Sequence, residues 1–221
     1  MHRGSALPAA QRLRQAVEED LPMAVGYSAG FLCHLALDSA CHGYVDERAA
    51  EGPICHMAIE GEFDRMLMLD DGLDVTLCSH LPSPPEDRRV WNAAARAYAH
   101  ASPAQLRQAY RSMAWLTGFL ARSCGTGRGK VIDVVSKMLP IPSSKGIALP
   151  PEPHPSAAES NADLDRLLEE AVPEAAEQIS AFFQRICTQE PVPAWFDRDF
   201  KGNPPHAVPV RRRNFQRYFT T

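Results

Sequence analysis

The sequence predicts an all-α protein on three observations. Apolar residues recur at helical spacing in segment after segment. No stretch sustains the alternation of a half-buried strand, and clusters of proline and glycine separate the segments. Finally, two neighbouring runs, FLCHLALDSACH (Phe31–His42) and CHMAIEGEFDRML (Cys55–Leu67), carry histidine and carboxylate at intervals of four inside otherwise apolar sequence, a period that only a helix converts into one face.

Residues 8–20 read as an exposed helix with a narrow apolar face of Leu13 and Val17, broken at Leu21-Pro22. A helix follows from Met23 to Tyr44, with Gly43 as its end signal and Gly26 and Gly30 spaced for close approach by a neighbour. GYVDERAAEGP reads as the turn into a second helix, which starts near Glu47 or after Pro53 and runs to Leu69, before Asp70-Asp71-Gly72. Pro82, Pro84 and Pro85 make LCSHLPSPPED a loop. Two helical patterns come next, Glu86–His100 and Pro103–Arg122, the latter with Leu106, Tyr110, Met113, Trp115 and Phe119 apolar.

SCGTGRGK, Ser123–Lys130, is superficially a phosphate loop. It has Cys124 where that motif needs glycine, Val131 where it needs serine or threonine, and a helix where it needs a strand, so it reads as a glycine-rich helix end. Val131–Leu139 is a short apolar segment, helix or buried run, and Leu139–Ser160 a proline-rich linker or surface loop. Asn161 is placed as the cap of a helix to Cys187. Its buried stripe is Leu164, Leu167, Leu168, Val172, Ile179, Phe182, Phe183 and Ile186, and Pro173 is expected to kink or split it. The chain thus divides into one helical domain, 1–189, and an irregular tail, 190–221, rich in proline, arginine and aromatics.

Composition narrows the classes of function. Of 221 residues, 45% are hydrophobic, ordinary for a globular domain, and the net charge of −4 argues against a stable nucleic-acid partner. No run approaches the length that spans a bilayer, and the N-terminus lacks the apolar core of a secretory signal, so a cytoplasmic location is expected. Arg211, Arg212, Arg213 and Arg217 among Phe215, Tyr218 and Phe219 allow the tail a weak contact with an anionic membrane surface. The six cysteines, Cys33, Cys41, Cys55, Cys78, Cys124 and Cys187, form neither a CxxC ribbon nor a disulfide framework.

The chemistry concentrates in the two striped helices. His34, Asp38 and His42 fall within about 80° of one another on a helical wheel, and His56, Glu60 and Asp64 form a similar stripe. Buried imidazoles and carboxylates are costly unless paired or bound to metal. His42, His56 and Glu60 make a two-histidine, one-glutamate set that leaves a zinc position open, and His34 with Asp38 is half of a second site. Cys41, seven residues after His34, is either a thiolate ligand or a small core residue, while Cys33 and Cys55 are expected to pack beside the site. Asp46, Glu47 and Asp64 flank the set as carboxylates that would orient imidazoles or simply charge the helix surface. His80, His100, His154 and His206 have no ligand-like spacing. The competing reading is a helical hairpin with hydrogen-bonded core histidines. A di-iron carboxylate bundle fits poorly, because that class uses Glu-x-x-His, in the reverse order and at spacing three.

GFLCHLALDSACHGYVDE (Gly30–Glu47) followed by HMAIEGEFDRML (His56–Leu67) resembles the zinc-dependent phospholipase C family, densely over Tyr27–Gly72 and only generally elsewhere. The resemblance implies an all-α phospholipase C-like domain with clustered zinc ions in a cleft. His34 and Asp38 would hold one zinc, Asp38 would reach a second, and His42, His56 and Glu60 would hold another; Asp38 and Glu60 are the expected catalytic carboxylates. It further implies hydrolysis of a phosphodiester, a small molecule or a phospholipid head group, by zinc-activated water. Single-strand-specific zinc nucleases share that fold and metal arrangement. The chain departs from the family at Leu35 and Gly43, where the pattern has tyrosine and proline. The family's upstream histidine and Gly-x-Asp segments are missing from the 33 residues before His34, whose sole histidine, His2, stands roughly where the resemblance puts the last upstream histidine ligand, the alternative being a disordered terminus. The expectation is therefore either a late start to the chain or a reduced, non-catalytic zinc-binding member.

Overall fold

A computed structural model describes residues 4–75, 81–124, 126–138 and 152–204. Among them are seven α-helices: α1 (Leu7–Glu18), α2 (Ala24–Glu51), α3 (His56–Asp70), α4 (Arg88–Arg96), α5 (Pro103–Ser123), α6 (Gly127–Met138) and α7 (Ala157–Cys187), then a 3-10 turn at Ala194–Phe196; there is no strand among the described residues.

The frame is α2 against α7. At 1.5 Å per residue each is over 40 Å long by about the rise of an ideal helix, and each end of the pair is filled by its own core. At one end Phe31, Leu32 and Leu35 meet Phe182 and, at the margin, Ile179, Phe183 and Ile186. At the other, Cys41 and Val45 meet Ala157 and Leu164, with Leu167 beside them. The first half of α2 thus faces the second half of α7, so the two run antiparallel.

Helix α1 closes the first core. Its buried face is Ala9, Ala10, Leu13 and Ala16, with Val17 only half-buried; the alanines, unmarked by a reading that looks for large side chains, bring this helix close against the core, and it is not an exposed one. It stops in a left-handed closure: Asp20 has φ 53° and Leu21 N–H donates to Ala16 O at 3.0 Å. The Arg12 guanidinium donates to Ala97 O at 2.7 Å and Arg96 O at 3.2 Å, satisfying carbonyls at the end of α4.

Several boundaries differ from the sequence reading. Gly43 does not end α2, which continues through VDERAAE to Glu51; one interior glycine costs about 1 kcal/mol, less than burying Val45 and neighbours returns. The joint to α3 is therefore only Gly52–Cys55. Gly26 and Gly30 face open space, so no helix approaches closely there. Helix α4 is shorter than expected, starting where Asp87 caps it by accepting from Arg89 N–H at 2.9 Å. Helix α7 begins at Ala157, not at Asn161, runs unbroken past Pro173, and leaves Val172 exposed. Gly127 opens α6, in line with a glycine-rich helix junction.

The segment after α7 folds back over the helices. Phe196 and Phe200 are buried in the first core, and Gly202, at φ 77°, passes so close to α2 that a Cβ there would lie 2.8 Å from Ser39 O. Residues 205–221, which carry the tail's arginines, and His2, Cys78, His80 and His206 lie outside the described residues.

Candidate metal centre

Donor atoms of His42, His56 and Glu60 all lie within 4.8 Å of one another. His42 comes from the middle of α2, and His56 and Glu60 from the first two turns of α3, brought opposite by the short Gly52–Cys55 joint. His56 Nε2 stands 3.1 Å from Glu60 Oε1, and the His42 and His56 rings are 5.6 Å apart, edge to face. Two ligands of a tetrahedral zinc at about 2.05 Å from the ion are separated by about 3.3 Å. The His56–Glu60 edge already has that length and the set as a whole is looser. Two imidazoles and a carboxylate, half-buried in one place, could hold a metal ion, and nitrogen with carboxylate oxygen is a donor set that zinc accepts.

Asp38 joins the second pair to the first. Its carboxylate lies 3.3 Å from His34 Nε2 and 3.9 Å from His42 Nδ1, and only 13% of its side chain is exposed. His34 is different: 55% of its side chain is exposed, with the ring against Phe200 at 5.5 Å. The five residues therefore form one row, from a solvent-facing His34 through Asp38 to the half-buried trio.

The other ring nitrogen of His56 is also occupied. Nδ1 contacts Asp46 Oδ1 at 3.1 Å, and Lys201 Nζ holds the second Asp46 oxygen from across the fold. With both nitrogens facing carboxylates, the hydrogen bond to Glu60 raises the His56 pKa above its ordinary value, against desolvation and with help from Asp46. Burial pushes the Asp46 carboxyl up, but Lys201 and His56 outweigh it and hold it below its usual range. A metal on Nε2 would leave Nδ1–H donating to Asp46, the carboxylate–histidine arrangement that fixes tautomer and ring orientation.

Of the flanking carboxylates, Asp46 is thus in contact with a donor, Glu47 is exposed, and Asp64 is half-buried one turn beyond Glu60. Cys41 is a core residue. Burial, then the charges of Asp38 and Glu60, push its thiol up to about 11, which disfavours a thiolate. Cys33 is exposed and Cys55 half-buried. His100 is exposed, while His154 N–H donates to Glu62 Oε1 at 3.1 Å.

The chain matches no family model, no curated protein and no solved structure.

Two features escaped the sequence reading. Lys201 is 155 residues from Asp46, beyond the reach of any local pattern. Glu62 and Arg65 on α3 are 1% and 4% exposed, paired at 3.0 Å under the start of α7. Spacing i, i+3 is the signature of a surface pair; a hint of burial lay only in their closeness in sequence to Ile59 and Phe63, which face the second core.

Proposed function

We propose that the protein is a zinc-dependent phosphodiester hydrolase, phospholipase C-like in fold and chemistry. The observation that carries this reading is the convergence of His42, His56 and Glu60 beside the His34–Asp38 pair. The resemblance of Gly30–Glu47 and His56–Leu67 to that family supports the reaction class. Bound zinc would supply Lewis acidity and an acidified water at neutral pH.

The chain's own residues divide the remaining work. His42 and His56 offer neutral nitrogen donors and Glu60 an anionic one, a set that leaves room for substrate. Asp46 accepts the Nδ1 proton of His56 and Lys201 keeps that carboxylate in place, so the ring is oriented with Nε2 towards Glu60. Asp38, nearly enclosed between His34 and His42, would be a ligand to a second metal or would hold a proton beside the first. Solvent-facing His34 lies at the end of the row where a phosphodiester would enter.

A second reading, a non-catalytic helical zinc-binding module, draws on a specific observation: among the described residues only His42, His56 and Glu60 form a three-donor group. One experiment separates the two. Zinc stoichiometry by elemental mass spectrometry is measured beside a His56→Ala control, with turnover of a synthetic phosphodiester and of phospholipid by the zinc-loaded protein. Two or three zincs with zinc-dependent turnover support the hydrolase. One zinc, lost in the control and without turnover, leaves the module. Zinc no higher in the parent than in the control removes both.

A further inference from the structure

The hairpin of α5 and α6 presents an apolar surface to solvent that nothing in the metal centre uses. Met113, Trp115 and Leu116 on α5 are exposed, Trp115 at 65%, as are Val131, Val134 and Val135 on α6, Val131 at 62%. Helix α5 packs on α4 and α6. Its less exposed side includes Leu106, Tyr110, Ala114, Thr117 and Ala121, and Trp115 lies on the opposite side of the helix. Six large apolar side chains left exposed on two consecutive helices mark a candidate interaction region.

Charge decides the kind of partner. Residues 103–138 contain six basic side chains and one acidic one, in a chain whose net charge is −4. Arg107, Arg111, Trp115 and Phe119 follow one another at intervals of four, so the arginines border the aromatic pair, whose rings stack at 5.6 Å and 9°. On α6, exposed Arg128 and Lys130 flank the three valines. None of Arg107, Arg111, Arg128 and Lys130 forms an ion pair with another described residue.

We propose that this hairpin docks the protein on an anionic lipid surface, with Trp115, Leu116, Val131 and Val134 in the headgroup boundary and the basic residues on lipid phosphates and carboxylates. A nucleic acid would take the charge but not the aliphatic surface. An apolar protein groove would take the surface but has no use for a one-signed border. A bilayer interface with anionic headgroups takes both, and the long stems of arginine and lysine let charge and apolar contact share one strip. The inference is independent of zinc, since none of these residues belongs to the metal centre.

The test is co-sedimentation of the full chain with vesicles of phosphatidylcholine containing about one-third phosphatidylserine, beside pure phosphatidylcholine. It is run at low and high salt, and with and without a chelator. Binding should require phosphatidylserine, weaken with salt and survive chelation. Arg107→Gln with Arg111→Gln should weaken it on the order of 20-fold, about five-fold for each arginine. Trp115→Ser should weaken it further, while thermal unfolding of both variants stays near the parent's. A chain with Arg211, Arg212, Arg213 and Arg217 changed to Gln should retain binding.

Four results would overturn the proposal: no phosphatidylserine-dependent binding; binding lost with the tail arginines but indifferent to the hairpin; binding that the chelator abolishes, which would move the contact to the metal centre; or a dimer in solution that Trp115→Ser dissociates, which would make a second copy the partner.

Discussion

Between α2 and α3, histidines and carboxylates face one another across a helical hairpin while the apolar residues lie against α7. Along α5 and α6 the disposition is reversed: valine, leucine, methionine and tryptophan face solvent, and the arginines stand beside them. A polar interior is stable only when each charge has a partner, whereas an apolar exterior imposes no such local requirement. The first hairpin should therefore be sensitive to single substitutions and to metal, and the second tolerant of both. Each expectation can be broken.

The largest effect is expected inside the first hairpin, at Glu62. Truncating it to alanine takes away the carboxylate 3.0 Å from the buried Arg65 guanidinium and the oxygen that accepts from His154 N–H. Breaking a buried pair from one side costs about 3–5 kcal/mol, roughly a 10 °C fall in Tm for a chain of this size. The companion variant Glu62→Leu/Arg65→Met removes both charges and should recover much of the loss. A Glu62→Ala protein melting within about 2 °C of the parent would show that α3 is more hydrated than its burial indicates.

Metal removal comes second. A zinc present at about a hundred times its Kd stabilises by roughly 2.7 kcal/mol, so a chelator should lower Tm by roughly 5–10 °C. His56→Ala should melt like the chelated parent and respond to chelator no further. If chelation leaves the parent unchanged, the facing carboxylates and histidines are held by their own protons and hydrogen bonds alone.

The third prediction concerns the clamp on His56. Asp46→Ala removes the acceptor for Nδ1–H and should weaken zinc binding about 10-fold to 100-fold, the usual loss for a carboxylate behind a ligating histidine. Lys201→Met should act in the same direction and less strongly, since Asp46 stays. Zinc titration with a competing chelator reads both. Equal zinc affinity in all three proteins would mean that the His56 ring is oriented by helix packing, without the clamp.

These residues also show what a linear reading can reach. His34, Asp38, His42, His56 and Glu60 were legible because four residues is one helical turn, so spacing alone puts each set on one face. The same reading grouped His42, His56 and Glu60 as one donor set; what it missed is how they meet, with α2 continuing past Gly43 and shortening the joint to Gly52–Cys55. Propensity at one glycine was outweighed by tertiary packing. Lys201 and Gly202 were out of reach for another reason: both act through contacts with α2 that the chain forms only after returning across the fold. On α5 the apolar residues were evident as a pattern, but apolar periodicity does not say which face is covered. Met113 and Trp115 belong to the apolar pattern of that helix and stand exposed.

The smallest expected change is on that exposed hairpin, and its smallness is informative. Trp115 loses little contact on truncation because 65% of it already meets water. Trp115→Ser and Val134→Ser should each shift stability by no more than about 0.5 kcal/mol, the usual range for surface positions. Denaturant unfolding gives the value directly, and the slope m should not change, since no buried surface is lost. A loss of about 2 kcal/mol or more would mean that the tryptophan is covered in solution. A loss that depends on protein concentration would assign the cover to a second copy; one that does not would assign it to another part of this chain. Near-neutral values would leave the stacked pair of Trp115 and Phe119 facing water in the free protein, where burial against a bilayer, and not the fold, supplies the reason for so much apolar surface.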